Sequence, residues 1–140
     1  MAMLVVFCSS FSYDRDTVIA WARNYLTQNF DPIEAKNVKL KKWELNITND
    51  GFFRLKKYYP SGKQEYFSFN LSRIESVNYL GTSNTGLLLL NTFSDDIIVQ
   101  TYNDPKGNID SMSKVLKLAV KNIEPEKLDS LNKVLLSLRK

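Results

Sequence analysis

Lys41, Lys42, Arg54 and Lys56 flank a single turn signal, and in this sequence their types and spacing point most directly to a binding chemistry. Asn49-Asp50-Gly51 reads as a hairpin turn between two alternating apolar runs, Trp43, Leu45, Ile47 and Phe53, Leu55, Tyr59. Successive strand side chains point to opposite faces, so Arg54 and Lys56 face away from Phe53 and Leu55. Across the hairpin they approach Lys41 or Lys42 and gather cations on one open surface. Convergent donors of this kind suit phosphate, and the Arg fork adds bidentate geometry. Lys36, Lys39, Lys57 and Lys63 extend the same basic stretch. The competing reading is a solvated strand face whose lysines discourage edge-to-edge aggregation.

Other chemistries are excluded by what the chain lacks. Its 140 residues contain no His and one Cys, Cys8. That removes the commonest general base, the commonest zinc ligand and any Cys–His nucleophile. A lone Cys supplies neither an internal disulfide nor a cysteine metal cluster. Carboxylate or lysine chemistry survives, but no spacing singles out a pair. The segment from Asp104 to Asp110 lacks the alternating oxygen ligands of a calcium loop and reads as a turn with a helix cap. No Gly-rich phosphate loop is present. Neither metal nor cofactor is expected, and a non-enzymatic role is.

The elements that must position the cations follow from periodicity. One α+β domain is expected over residues 13–140. A first helix spans about residues 14–29, capped by Asp14, with Ile19, Ala22 and Leu26 at i, i+3 and i+7. From Asn37 to Tyr102 the period falls to two, and the runs are joined by short turns. That predicts a curled antiparallel meander of about six strands, since parallel crossovers need a dozen or more residues. Apolar positions change phase at Lys41-Lys42, which reads as a bulge or bend. Two C-terminal helices are predicted. Val115, Leu116, Ala119 and Ile123 share the face of the first, and Leu128, Leu131, Leu135 and Leu138 recur along the second, which starts at Pro125.

Residues 1–12 support two readings. Ala2 to Cys8 is an apolar run followed by Ser10-x-Ser12, the pattern of a clipped secretory signal. Leu4 to Phe7 equally fits a short buried strand. The first reading implies a secreted or periplasmic protein, the second a cytoplasmic one. No stretch reaches the ~18 apolar residues that span a bilayer.

Phe67-Ser-Phe69-Asn-Leu71-Ser-Arg-Ile74-Glu-Ser-Val77, followed by the Leu87–Leu90 run, resembles pleckstrin-homology-like and GRAM-like domains over about residues 37–122. The resemblance implies a curled sheet closing as a barrel, with a C-terminal helix against it. It also implies a ligand on the first hairpin, where Lys41, Lys42, Arg54 and Lys56 stand. This chain differs in showing six strands where the family has seven, and in its additional helix at each end.

The net charge of +4, from 19 basic and 15 acidic residues, fits several partners. The expected function is a non-enzymatic binding or interaction module of unknown partner on a curled sheet, with a protein or an anionic lipid surface as candidates. Its rivals are a membrane-headgroup binder acting through the cationic hairpin and a small enzyme or ligand-binding cone fold with a pocket between helix and sheet. Nucleic acid has least support, because cations and aromatics do not interleave on any one predicted face.

Overall fold

The computed structural model describes residues 15–34 and 37–139. Both readings of residues 1–12, the Asp14 cap and Lys36 lie outside the described residues. Helix α1 (Arg15–Asn29) buries Ile19, Ala22 and Leu26, the stripe expected from spacing. It gives way to Phe30, which bridges to Val120, while the Asp31 amide donates to the Ala119 carbonyl at 2.9 Å.

Among the described residues ten strands follow: β1 (Ile33–Glu34), β2 (Val38–Lys39), β3 (Lys42–Ile47), β4 (Phe52–Tyr58), β5 (Gln64–Asn70), β6 (Ile74–Gly81), β7 (Thr85–Thr92), β8 (Ile97–Tyr102), β9 (Asp110–Ser113) and β10 (Val115–Lys121). Helix α2 (Pro125–Ser137) ends the fold and begins, as expected, at its proline. All pairings are antiparallel. The strands form a five-stranded sheet in the order β3-β4-β5-β8-β9, a three-stranded sheet β10-β7-β6, and a ribbon β1-β2.

Two expectations are corrected here. The first is the single meander of about six strands. The chain leaves the large sheet after β5, makes the β6–β7 hairpin, and returns to pair β8 with β5. Residues 92–96 direct that return. The Phe93 amide donates to the Arg73 carbonyl at 3.1 Å, and Asp96 accepts from Arg73 Nε and the Ser94 amide, each at 3.1 Å. Among the described residues both sheets stay open, with β3, β9, β6 and β10 as edges, so no closed barrel forms.

The second is the first C-terminal helix, which is the β9–β10 region instead. Leu116, Leu118 and Val120 are buried and Lys117 is exposed, a period of two. The short apolar segment between Lys114 and Asn122 satisfies either period, and the partner strand β7 decides between them. The Asp104–Asp110 segment is a turn as expected, with Asp104 Oδ1 accepting from the Lys106 amide at 2.9 Å, but it leads into β9 and caps no helix.

The phase slip at Lys41 is a bend. The Leu40 amide donates to the Pro32 carbonyl and the Lys41 amide to the Tyr58 carbonyl, each at 2.8 Å, so consecutive amides serve different strands. Between the sheets and helices lies one core. Ile47, Phe53, Leu55 and Phe69 from the large sheet and Leu88, Leu90, Leu116 and Leu118 from the small one pack with Ile19 and Leu26 of α1 and Leu131 and Leu135 of α2. Arg23 ties α1 to the large sheet by donating from Nη1 to the Ile47 carbonyl at 2.8 Å.

Candidate functional site

Burying the odd positions of β3 and β4 sends their even positions to the outer face of the five-stranded sheet. Register then fixes that face row by row. Lys42 lies opposite Tyr58, Tyr58 opposite Gln64, and Gln64 opposite Tyr102. In the next row Glu44, Lys56, Tyr66, Gln100 and Asp110 follow one another across all five strands. A third row runs Asn46, Arg54, Ser68, Ile98 and Met112.

The structure therefore brings Lys42, Arg54 and Lys56 together on one surface. Lys41 sits outside β3 at the bend and is not in register with them. Lys57 and Lys63, from the same basic stretch, do not join either. Lys57 is buried on the core side, with its Nζ 5.4 Å from the Phe67 ring centroid. Lys63 is held 3.7 Å from both Glu65 and Asp104.

Cations and aromatic rings alternate across the exposed face, contrary to the expectation from sequence. The Lys42 ammonium lies 5.4 Å from the Tyr58 ring centroid. Lys56 stands 5.9 Å from both the Tyr58 and the Tyr66 centroids. Arg54 lies 5.9 Å from the Phe52 ring. This surface holds an open groove of about 530 Å³, lined by Glu44, Asn46, Arg54, Lys56, Gln64, Tyr66 and Tyr102. Tyr102 keeps 42% of its surface exposed. Glu44 is the groove's acid and accepts from the Tyr58 hydroxyl at 3.0 Å.

Sequence reasoning missed Tyr58, Tyr66, Tyr102 and Gln64 as members of this surface. Tyr58 and Tyr66 carried a signal, since both occupy even positions in runs whose odd positions are core. Tyr102 carried none, because its place depends on the β5–β8 pairing.

Two of the further depressions are larger than the rest. One, of about 1250 Å³, opens between the sheets near Tyr59, Leu87 and Lys117. The other, of about 350 Å³, lies beside the stacked Trp21 and Tyr25 rings and Glu124. Burial pushes the Tyr25 phenol above its ordinary range, and the Glu124 carboxylate and Tyr79 add to the shift. Ile19, Ala22 and Leu26 fill the contact between α1 and the sheets themselves. Among the described residues no cluster of three or more His, Cys, Asp or Glu could hold a metal ion, and no helix is long and apolar enough to cross a membrane.

No family model, curated protein or solved structure matches this chain.

Proposed function

We propose that the protein is a non-enzymatic binding module that receives an anionic ligand on the outer face of its five-stranded sheet. The observation that carries the reading is the register of β3 with β4, which sets Lys42, Arg54 and Lys56 on one outer face, where Arg54 and Lys56 line an open groove. Lys42 and Lys56 are held over tyrosine rings and Arg54 over a phenylalanine, and no acid within ion-pair distance neutralises them among the described residues.

The test uses inorganic polyphosphate as the probe and the Lys42→Gln/Arg54→Gln/Lys56→Gln variant as the comparison. With three cations contacting phosphate, affinity should fall about twenty- to fortyfold between 50 and 200 mM salt, because each contact releases counterions. The triple variant should lose both the binding and its salt dependence. Unchanged binding by the variant would contradict the proposal.

A further inference from the structure

Anion binding uses the cations of this face and leaves its three tyrosine rings without a role. We infer that the ligand is single-stranded nucleic acid, its phosphates held by Lys42, Arg54 and Lys56 and its bases stacked on Tyr58, Tyr66 and Tyr102. The inference rests on the anion-binding reading above and deepens it. Its first support is the arrangement of the rings. Tyr58 pairs with Gln64 while Tyr66 pairs with Lys56, and Tyr102 pairs with Gln64 while Tyr66 pairs with Gln100. Tyr66 is thus the diagonal neighbour of both other tyrosines, at a spacing of roughly 7–8 Å. The rings form a zigzag over three adjacent strands on which successive unpaired bases can stack.

Charge runs in a matching direction. The cations stand on β3 and β4, while the rings extend through β5 to β8. A strand whose phosphates track β3–β4 turns its bases towards Tyr66 and Tyr102. Glu44 and Asp110 on the same face oppose a purely anionic ligand. A ligand with both phosphates and neutral rings fits this mixture better than a polyanion does. Gln64 and Asn46, in the groove wall, offer amide donors and acceptors to base edges.

The position of the cations decides against a membrane surface. Lys42, Arg54 and Lys56 lie within strands, the last two lining a hollow, and not on the hairpin tips, which carry Asn49-Asp50-Gly51 and Pro60-Ser61-Gly62. A bilayer meets tips, whereas a flexible chain enters a hollow. Duplex nucleic acid is also disfavoured, because its base faces are already stacked.

Binding must displace the lysines now over the rings. An exposed cation–π contact changes an equilibrium only about two- to fivefold. A base stacked on an aromatic side chain contributes about fivefold to a hundredfold, and the displaced ammonium gains a phosphate. The exchange therefore favours the base.

Fluorescence polarisation with labelled oligothymidylate of about 12 nucleotides tests this, a length within the range such sheet surfaces engage. The arms are the single strand, an abasic strand of equal length, the duplex, and phosphatidylserine vesicles. The single strand should bind at least tenfold more tightly than the abasic strand, which keeps the phosphates and loses the stacking. Tyr66→Ala should weaken the single strand about tenfold or more and leave the abasic strand unchanged. Tyr66→Phe keeps the stacking surface and should retain affinity, which separates stacking from any loss of folding. Equal binding of normal and abasic strands, or vesicle binding without oligonucleotide binding, would overturn the nucleic-acid inference and leave the anion site standing. Failure of every probe at low salt would overturn both.

Discussion

Lys56 of β4 and Tyr66 of β5 are direct cross-strand partners, with the ammonium 5.9 Å from the ring centroid. The pairing joins the two properties of the outer face, cationic charge and aromatic surface, in one contact. It also predicts how little that face matters to folding. Lys42→Gln and Arg54→Gln should each change stability by no more than about 1 kcal/mol, since each removes an exposed charge and one weak ring contact, and Lys56→Gln, half-buried with two such contacts, by no more than about 2 kcal/mol. Urea unfolding of the three variants measures this. A cost of several kcal/mol at any of them would mean that the cations are structural.

Glu44 should act against the ligand. Its carboxylate lines the groove and accepts from the Tyr58 hydroxyl at 3.0 Å. Glu44→Gln removes the negative charge and keeps an acceptor, so polyphosphate should bind several-fold more tightly. Repulsion between exposed like charges is screened beyond ~10 Å at 0.1 M salt, so the gain should shrink as salt rises. Titration calorimetry at two salt concentrations checks both effects.

Gly86 should tolerate no side chain. It lies in β7, and an added Cβ would fall against the Tyr79 ring and 2.8 Å from the Leu80 carbonyl oxygen. Tyr79 covers this glycine and donates its hydroxyl to the Thr82 carbonyl across the loop. Gly86→Ala should therefore cost about 1–3 kcal/mol through overpacking. Adding Tyr79→Ala should not restore full stability, because the contact with the Leu80 backbone remains. Thermal unfolding of the single and double variants is the measurement.

Stability should decline at alkaline pH through Tyr25 and Tyr79, whose phenols are both shifted upwards by burial. The unfolded phenols ionise near pH 10, whereas the folded ones stay protonated to higher pH. Over that interval the folded state binds more protons, so stability is complete below about pH 10 and lost as pH rises through the folded values. The Tyr25→Phe/Tyr79→Phe variant should lose less stability over this range. Tyr25→Phe alone should change stability by no more than about 1 kcal/mol at pH 7, since the buried Tyr25 Oη makes no well-formed hydrogen bond and only a weak approach to the Glu124 backbone. Chemical denaturation between neutral pH and the alkaline limit tests both statements.

Leu118 distinguishes the two periods that residues 115–121 can satisfy. As a strand residue it is fully buried, and Leu118→Ala should cost about 2–5 kcal/mol. A helix with Val115, Leu116, Ala119 and Ile123 inward would place Leu118 off that face and make the loss small. The equilibrium unfolding midpoint of Leu118→Ala answers the question.

That segment also marks the limit of what the sequence alone makes legible. Long periodic segments were readable: the α1 stripe of Ile19, Ala22 and Leu26, the α2 stripe through Leu131 and Leu135, and the hairpin at Asn49–Gly51. Each is specified by neighbours in sequence. Strand β10 was not readable, because seven residues do not separate a period of 2 from one of 3.6 and its identity comes from β7, more than twenty residues away. The division into two sheets was hidden for the same reason, since β8 pairs with β5 across the whole β6–β7 hairpin. The candidate site divides in the same way. Lys42, Arg54 and Lys56 follow from one local hairpin. Tyr66 and Tyr102 join them only through pairings that local sequence does not specify.

The placement of the ligand is tested most directly by an amide NMR titration of the protein with inorganic polyphosphate at low salt. Shifts should concentrate in β3, β4 and β5, be largest around Lys42, Arg54, Lys56 and Tyr66, and be absent from the Lys42→Gln/Arg54→Gln/Lys56→Gln variant. Shifts centred instead on Lys114 and on Lys117 and Lys121 of β10, or none anywhere, would contradict that placement.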